Sequence, residues 1–302
     1  MIPVATKRKK KIAVPTKAQT VRFSLCLCLA ISTTACSTTP AETDYPEVPI
    51  CDGSSELRFV ITTMSSSDRF GTGNTITAEL GGGAIFIDGE CNFWVQSENY
   101  GTTEYLHGSL TPEQAAEMGE DFHYSRWEHL AGQYFDDEVF DAGTLIAHNG
   151  VDVISCYGCS GSNAPSQVLD ILSNQEKWRN KMTTQGLPID GPIRIIPVPF
   201  FEDIGGLPEK SWPLVEDPDV IWESLSGGEA VWNSDYGDGY VVENAEELKS
   251  LREARTFWIE YQDSMEIGSS AFTKTADGRK HWIFMRDVLP FENLGDGTLP
   301  LP

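Results

Sequence analysis

The sequence predicts an α+β fold in which antiparallel strand hairpins pack against a few helices. Short apolar segments flank tight-turn signals, and other segments carry apolar residues at helical spacing. The predicted strands follow one another as hairpins instead of alternating with helices, which is typical of α+β proteins. We expect residues 51–200 to form this α+β domain, and residues 201–302 to form a smaller α+β subdomain or a continuation of the same domain.

The strongest hairpin signal lies in residues 84–96, where Asp88-Gly89 separates two apolar runs. An Asp-Gly pair between apolar runs is typical of a two-residue β-turn. Alternating apolar residues predict a strand over 57–62 before this hairpin, and a further strand is predicted over 103–108 after it.

The first helix is predicted to begin behind Thr111, with Pro112 at its first position and Gln114 at its third. This order matches a capping box. Further helices are predicted over about 165–181 and from about 244 onward. The apolar residues expected to face the core from these helices are Ala115, Met118, Phe122, Trp127 and Leu130, then Leu169, Leu172 and Trp178, then Leu248, Leu251, Ala254 and Trp258.

The remaining predicted elements are short strands over residues 151–156, 193–196, 240–242 and 281–285. The connection over residues 197–219 holds five prolines, so we expect it to be irregular.

The chain is strongly acidic, with 22 Lys+Arg against 45 Asp+Glu and a net charge of −23 at pH 7. Seven of the basic residues and none of the acids lie in residues 1–35, so the remainder is more acidic still. Phosphates repel such a surface, which argues against a nucleic-acid partner and against peripheral binding to anionic lipid. Hydrophobic residues make up 40% of the chain, enough for a packed core.

Residues 1–35 have the composition of a secretory signal peptide. Their basic stretch is followed by the apolar run Phe23–Ile31 and then by small residues. That run is far shorter than the ~20 residues of a membrane-spanning helix, and no later run approaches this length, so no transmembrane helix is predicted. Residues 36–50 are rich in Thr, Pro and acids, a composition typical of a flexible tether.

The residues Thr33-Thr34-Ala35-Cys36 resemble the lipobox of bacterial lipoproteins, apart from Thr33, where leucine is favoured. The resemblance covers the first 36 residues. It implies that Cys36 is lipidated and becomes the new N-terminus, with the bilayer as a partner through the acyl anchor. Ser37 in place of Asp then implies outer-membrane delivery. The small residues before Cys36 also suit an ordinary signal peptidase, so a secreted or periplasmic protein is the alternative.

Four cysteines remain beyond Cys36: Cys51, Cys91, Cys156 and Cys159. An even number of cysteines in an exported protein favours disulfides. Of the three pairings that four cysteines allow, we favour Cys51–Cys91 and Cys156–Cys159. On the loop-entropy relation, the first bridge contributes ~4 kcal/mol to stability and the second ~2 kcal/mol.

The C-x-x-C form of residues 156–159 is also that of dithiol redox sites, and Pro197 is similar in placement to the cis-proline of thioredoxin-like proteins. In such sites the first cysteine stands at a helix N-terminus. Here residues 160–164 separate Cys159 from the next predicted helix. One helix alone is predicted between Cys159 and the strand that holds Pro197, where the thioredoxin-like fold would have two helices and a strand. We therefore favour a structural bridge. A zinc site with four thiolates is disfavoured in an oxidising compartment.

Other polar residues give no catalytic, cofactor or metal motif. The histidines, expected at the surface or at its boundary, are His107, His123, His129, His148 and His281. Two acidic clusters, expected to be solvated loops and lacking the order of an EF-hand, are Asp136-Asp137-Glu138 with Asp141, and Asn233 with Asp235 and Asp238. The eight tryptophans mostly stand in apolar patterns, which favours core packing over a carbohydrate site.

These observations favour an exported, lipid-anchored, non-catalytic binding or surface-interaction module whose partner is an unknown protein or small molecule. The alternative is an extracytoplasmic hydrolase with paired carboxylates, whose pairing is spatial and invisible in the sequence. Two close carboxylates in a large cleft would favour that alternative. An exposed Cys156 at a helix start would favour a third class, thiol–disulfide redox proteins.

Overall fold

The computed structural model describes residues 46–64, 83–97, 102–136, 139, 143–159, 163–200, 210–226, 239–263, 271–275 and 277–292. Within them, helices accompany two mostly antiparallel sheets, which confirms the predicted α+β class. The predicted signal peptide and most of the predicted tether lie outside these residues. No helix in the described part of the chain is both long and apolar enough to cross a bilayer.

The described part of the chain alternates groups of strands with helices. Its strands are β1 (Leu57–Met64), β2 (Ile85–Asp88), β3 (Asn92–Gln96), β4 (Thr102–Thr103), β5 (Tyr105–Ser109), β6 (Gly132–Phe135), β7 (Thr144–His148), β8 (Val153–Tyr157), β9 (Leu187–Pro188), β10 (Ile193–Phe200), β11 (Lys210–Ser211), β12 (Tyr240–Val242), β13 (Ala271–Lys274) and β14 (Lys280–Asp287). Its helices are α1 (Pro112–Asp121), α2 (Trp127–Leu130), α3 (Ser166–Thr183), α4 (Pro218–Ser226) and α5 (Ala245–Asp263), with a 3₁₀ turn over Tyr124–Arg126.

The first sheet joins eight strands in the order β6-β8-β7-β1-β2-β3-β5-β9. All neighbouring pairs are antiparallel except β6 with β8. The hairpin predicted around Asp88-Gly89 is present, since β2 pairs with β3 from Ile85–Val95 to Ile87–Phe93. The strands predicted over 57–62, 103–108 and 151–156 correspond to β1, β5 and β8.

One face of the first sheet packs against α1 and α3. Phe59 and Ile61, alternate residues of β1, are fully buried there beside Met118 of α1 and Trp178 of α3. The predicted capping box of α1 is also formed, because Thr111 and Gln114 each accept a hydrogen bond from the backbone N–H of the other. The helix then ends near His123, whose left-handed backbone (φ 52°) starts a short 3₁₀ turn.

The opposite face of the first sheet is covered in part by the chain that follows β14. Leu289 is buried in a cluster with Phe86 and Tyr105. The Phe291 ring lies 5.2 Å from the ring of Phe86 and 5.2 Å from that of Trp94. The C-terminal part of the described chain therefore contributes to the core of the first sheet.

The second sheet has the order β11-β13-β14-β10-β12, and β4 pairs with β14 in parallel. Its core contains Ile195 of β10 and Met285 of β14, packed with Leu251 and Trp258 of α5 and with Ile221 of α4. The helix predicted from about residue 244 is α5, and the apolar residues predicted to face the core from it are buried as expected. Because β4 precedes α1 in the chain, both halves of the sequence contribute strands to this sheet.

β10 extends further than the sequence indicates. The expected irregular connection begins at Pro197, but the strand continues through Pro197 and Pro199 and pairs with β14 as far as Phe200. Proline has no backbone N–H to donate, so a strand tolerates it where no neighbouring strand lies on that side to accept a hydrogen bond. In the described residues β12 pairs with β10 only at Ile193–Ile195, so both prolines lie beyond that pairing.

Candidate functional site

The first candidate is a set of buried charges around Glu292, here called the arginine–glutamate cluster. Glu292 Oε1 accepts a hydrogen bond from Arg194 Nε at 2.5 Å and one from Arg286 Nη2 at 2.7 Å, and Oε2 accepts from Arg286 Nη1 at 2.5 Å. The exposed fractions of the three side chains are 1%, 2% and 0% for Arg194, Arg286 and Glu292. The backbone N–H of Leu289 donates a further bond to Oε2.

Asp287, at the end of β14, extends this cluster toward the first sheet. Its Oδ1 accepts from Arg255 Nη1 at 2.8 Å, and its Oδ2 accepts from the backbone N–H of Tyr105 in β5 at 2.8 Å. Arg255 also lies 3.5 Å from Glu104. A buried charge that loses its partner is strongly destabilising, so these pairings fix β5, β14 and α5 against one another.

The Tyr105 hydroxyl lies in the same region and is fully buried, with no hydrogen bond to any described residue. Burial raises the pKa of this hydroxyl well above its ordinary value, so it keeps its proton. Since the carboxylates of the cluster are held by guanidinium groups and its side chains are closed to solvent, the arrangement suits a structural role.

The second candidate surrounds His281 in β14 and is here called the His281 cluster. His281 Nε2 lies 2.7 Å from Asp219 Oδ1 at the start of α4, and the imidazole is 1% exposed. Burial, together with the charge of Arg279, lowers the pKa of His281 to about 4. The ring is therefore neutral at pH 7, and Nε2–H donates to the carboxylate of Asp219.

Arg279 gathers three carboxylates at the edge of this cluster. It contacts Asp219, lies 3.2 Å from Asp217 and donates from Nε to Asp277 at 2.7 Å. An Asp–His pair is an element of many general-base sites. However, His281 Nδ1, the nitrogen that would act as the base, is buried and bonds to no described residue. A substrate would reach it only after the surrounding chain has moved.

His148, the last residue of β7, is the other deeply buried histidine. It is 4% exposed, and burial lowers its pKa to about 4. Nδ1 accepts a hydrogen bond from the backbone N–H of Gly150 at 3.2 Å. This bond shapes the turn between β7 and β8, where Asn149 also accepts from the backbone N–H groups of Val151 and Asp152. The expectation of a surface or boundary position is therefore wrong for His148 and His281.

The other histidines do not converge on a site. His107 and His129 are exposed, and His123 lies 3.0 Å from Asp170 at the surface. Of the two predicted acidic clusters, Asp136 is described and is half-buried, whereas the rest of both clusters lies outside the described residues. In the part of the chain that the structure describes, no group of three or more His, Cys, Asp or Glu residues could hold a metal ion.

The structure contains both disulfides of the favoured pairing. Cys51 is bonded to Cys91 with the Cα atoms 5.2 Å apart, and Cys156 is bonded to Cys159 with the Cα atoms 5.4 Å apart. Cys156 is fully buried within β8 and Cys159 is 5% exposed. Helix α3 begins only at Ser166, so Cys156 is neither exposed nor at a helix start. This C-x-x-C therefore lacks the arrangement that activates redox cysteines.

The surface of the described residues is dominated by carboxylates. Each Lys or Arg whose side chain is described and exposed is paired with an acid: Lys177 with Asp121 at 2.6 Å, Lys249 with Glu253 at 3.9 Å and Arg279 with Asp277 at 2.7 Å. The exposed acids are Glu47, Asp52, Glu56, Glu90, Glu113, Glu117, Glu120, Glu128, Asp170, Glu176, Asp190, Glu216, Glu223, Glu243, Glu246, Glu253 and Asp277.

Neither charge cluster is predicted by the sequence, because the members of each cluster are distant in the chain. Two local patterns in the sequence do indicate the elements that carry the His281 cluster. Asp277-Gly278 stands between two runs that become β13 and β14, which is the same hairpin signal as Asp88-Gly89. The second pattern is Asp217-Pro218, in which an N-cap residue is followed by proline; it indicates the start of a helix, and α4 begins there.

Comparison of the chain with protein-family models, with curated proteins and with solved structures finds no match.

Proposed function

We propose that this protein is a lipid-anchored component of the cell envelope that acts as a non-catalytic binding or surface-interaction module. Its two disulfides indicate an oxidising, extracytoplasmic location. The lipobox-like residues Thr33–Cys36 supply the anchor through acylation of Cys36, and Ser37 in place of Asp favours delivery to the outer membrane.

One observation carries the non-catalytic part of this proposal. Among the described residues, the cysteines and the most deeply buried carboxylates, which are groups that catalysis could use, are committed to the fold. Cys156 and Cys159 are bonded to each other in the core, and Glu292 and Asp287 are held inside by guanidinium groups. A binding function needs no activated group, and it makes use of the acidic surface described above. A partner with basic or neutral contact residues suits that surface, whereas a nucleic acid does not.

A carboxylate hydrolase is the second candidate, and the His281 cluster is the observation that favours it. Asp217, Asp219 and Asp277 meet there beside a histidine. Glycoside hydrolysis, however, needs one carboxyl group that can donate a proton and one that stays ionised. All three carboxylates here share Arg279 as an ion-pair partner, which suits a structural link between α4 and the β13–β14 hairpin.

The proposal is tested by detergent phase partition of the full chain expressed in a two-membrane bacterium. The parent protein is expected in the detergent phase and in the membrane fraction, and Cys36→Ala is expected in the aqueous phase or as an unprocessed precursor. Purified parent protein is also expected to show no insulin-reduction activity. Unchanged partition of Cys36→Ala would reject the anchor, and reductase turnover that is lost in Cys156→Ser would reject the non-catalytic role.

A further inference from the structure

The turn between β7 and β8 contains the single Asn-Gly pair of the sequence, Asn149-Gly150. In such a pair the backbone nitrogen of glycine can attack the side-chain carbonyl of asparagine, because no glycine side chain hinders the approach. The attack closes a five-membered succinimide ring and releases ammonia. Gly150 is exposed and has a φ of 87°, in a region that favours glycine. The fold therefore keeps glycine next to Asn149, at a position that solvent reaches.

The side-chain amide of Asn149 is held at both of its polar atoms. Oδ1 accepts hydrogen bonds from the backbone N–H groups of Val151 at 3.0 Å and of Asp152 at 2.7 Å. These donors polarise the carbonyl and stabilise the negative charge that Oδ1 gains when a nucleophile adds to Cγ. Nδ2 donates to Asp152 Oδ2 at 3.1 Å. The side chain is thus fixed against the backbone of its own turn, which reduces the entropy that ring closure costs.

The attacking nitrogen has a proton acceptor in direct contact. The backbone N–H of Gly150 donates to His148 Nδ1 at 3.2 Å. His148 is 4% exposed at the end of β7, so the packing around it holds the imidazole in place. Burial lowers the pKa of His148 to about 4, so the ring is neutral at pH 7 and Nδ1 carries the lone pair that a base needs. The electrophile, the nucleophile and a base therefore meet within one turn.

We propose that Asn149 is a site of self-modification, where the folded turn promotes succinimide formation and the conversion of Asn149 to aspartate and isoaspartate. The Gly150 nitrogen gives its proton to His148 Nδ1 and bonds to Asn149 Cγ, while the carbonyl electrons move onto Oδ1. These electrons return as the bond between Cγ and Nδ2 breaks, and Nδ2 leaves as ammonia with the proton from His148. Water then opens the ring. Its addition at Cγ gives aspartate, and its addition at the backbone carbonyl carbon gives isoaspartate.

This modification goes beyond the proposed function and does not depend on the anchor at Cys36. Each molecule reacts once, so the step is compatible with a non-catalytic binding module. The product loses the amide that donates to Asp152 and places a second negative charge beside that carboxylate. Isoaspartate also adds one carbon to the backbone of the turn. The turn between β7 and β8 is therefore expected to loosen as the protein ages.

The test compares deamidation in the purified, folded full-length protein with deamidation in the same chain unfolded in guanidinium chloride, at one temperature and near-neutral pH. Samples are digested with pepsin at acidic pH. Mass spectrometry of the peptide that contains Asn149 then follows the loss of ammonia and the later gain of water. Asn244 is a control within the same molecule. Its Oδ1 also accepts from two backbone N–H groups, those of Glu246 and Glu247, but its neighbour is Ala245.

We expect Asn149 to react roughly tenfold faster in the folded protein than in the unfolded chain. This is less than the ~10²–10⁴-fold of a well-matched base, because His148 is a weak base. Asn244 should stay unmodified in the folded protein. A folded rate at Asn149 that is equal to or below the unfolded rate would show that the turn protects this residue, and the proposal is then wrong.

His148→Gln tests the base separately, since glutamine keeps a hydrogen-bond acceptor but takes up no proton. This variant should lower the rate at Asn149 in the folded protein and leave the rate in the unfolded chain unchanged. A folded His148→Gln protein that reacts as fast as the parent would overturn the role of His148. The comparison within the parent protein needs no variant, so it decides the proposal even if His148→Gln does not fold.

Discussion

Arg194 of β10 donates a hydrogen bond of 2.5 Å from Nε to Oε1 of Glu292, and neither side chain is more than 1% exposed. These residues are separated by 98 positions in the sequence. The pair therefore fastens the chain that follows β14 onto the second sheet. Because Leu289 and Phe291 in the same segment pack on the first sheet, Glu292 also helps to hold the two sheets together.

Removal of this carboxylate should destabilise the domain strongly. Glu292→Ala leaves Arg194 and Arg286 buried without their shared partner, which costs about 3–5 kcal/mol when a buried ion pair is broken. Glu292→Gln should cost less because it retains a hydrogen-bond acceptor. The free energy of unfolding is measured by urea denaturation.

The matched control is Glu253→Ala, which removes a glutamate from the exposed pair with Lys249. Surface pairs of this kind contribute little, so this variant should unfold close to the parent. If Glu292→Ala and Glu253→Ala unfold at the same urea concentration, the arginine–glutamate cluster does not hold the fold.

Acidification should destabilise the domain before its surface carboxylates titrate. Burial lowers the pKa of His148 and of His281 from 6.5 to about 4. Between these values the unfolded chain binds protons that the folded chain excludes, so stability is complete above pH 6.5 and falls as the pH drops toward 4. The loss is up to ~3 kcal/mol for each histidine.

Urea midpoints at pH 7, 5.5 and 4.5, values chosen to bracket the titration of an unfolded histidine, measure this effect. His148→Gln should reduce the loss of stability with falling pH, because it removes one of the two buried histidines that cause this loss. His129→Gln, which changes an exposed histidine, should leave the decline unchanged. Equal pH dependence in the parent and in His148→Gln would show that the buried histidine is not responsible.

The two disulfides should differ in their contribution to stability. The Cys51–Cys91 bridge spans 40 residues and the Cys156–Cys159 bridge spans 3. On the loop-entropy relation, Cys51→Ala with Cys91→Ala costs ~4 kcal/mol, and Cys156→Ala with Cys159→Ala costs ~2 kcal/mol. Thermal melts of the two double variants measure how much stability each disulfide contributes. A larger loss from the short bridge would mean that the packing of Cys156 in the core outweighs chain entropy.

Local patterns in the sequence predict most of the elements correctly. The capping box at Thr111–Gln114 and the hairpin at Asp88-Gly89 depend on neighbours in the chain, and both are present. The extension of β10 through Pro197 could not be predicted, because it depends on which strands lie beside it. The charge clusters were missed for the same reason, since Glu292 and Arg194 are 98 positions apart in the sequence and meet only in the folded structure.

The sequence predicted the chemistry of the cysteines better than that of the histidines. An even cysteine count behind a predicted export signal is enough to favour disulfides, and the structure contains the favoured pairing of Cys51 with Cys91 and Cys156 with Cys159. Burial of a histidine, by contrast, depends on the strands that flank it. His148 lies between β1 and β8, and His281 lies between β10 and β13.

The proposed function depends on a lipid at Cys36 that holds this protein at a membrane. Intact-mass spectrometry of the full chain, purified from the membranes of a two-membrane bacterium, detects that lipid. We expect the mass of a chain that begins at Cys36 with acyl groups added, and we expect this species to be absent in Cys36→Ala. A mature chain that begins elsewhere and carries no lipid, recovered from the same membranes, would show that Cys36 is not the anchor.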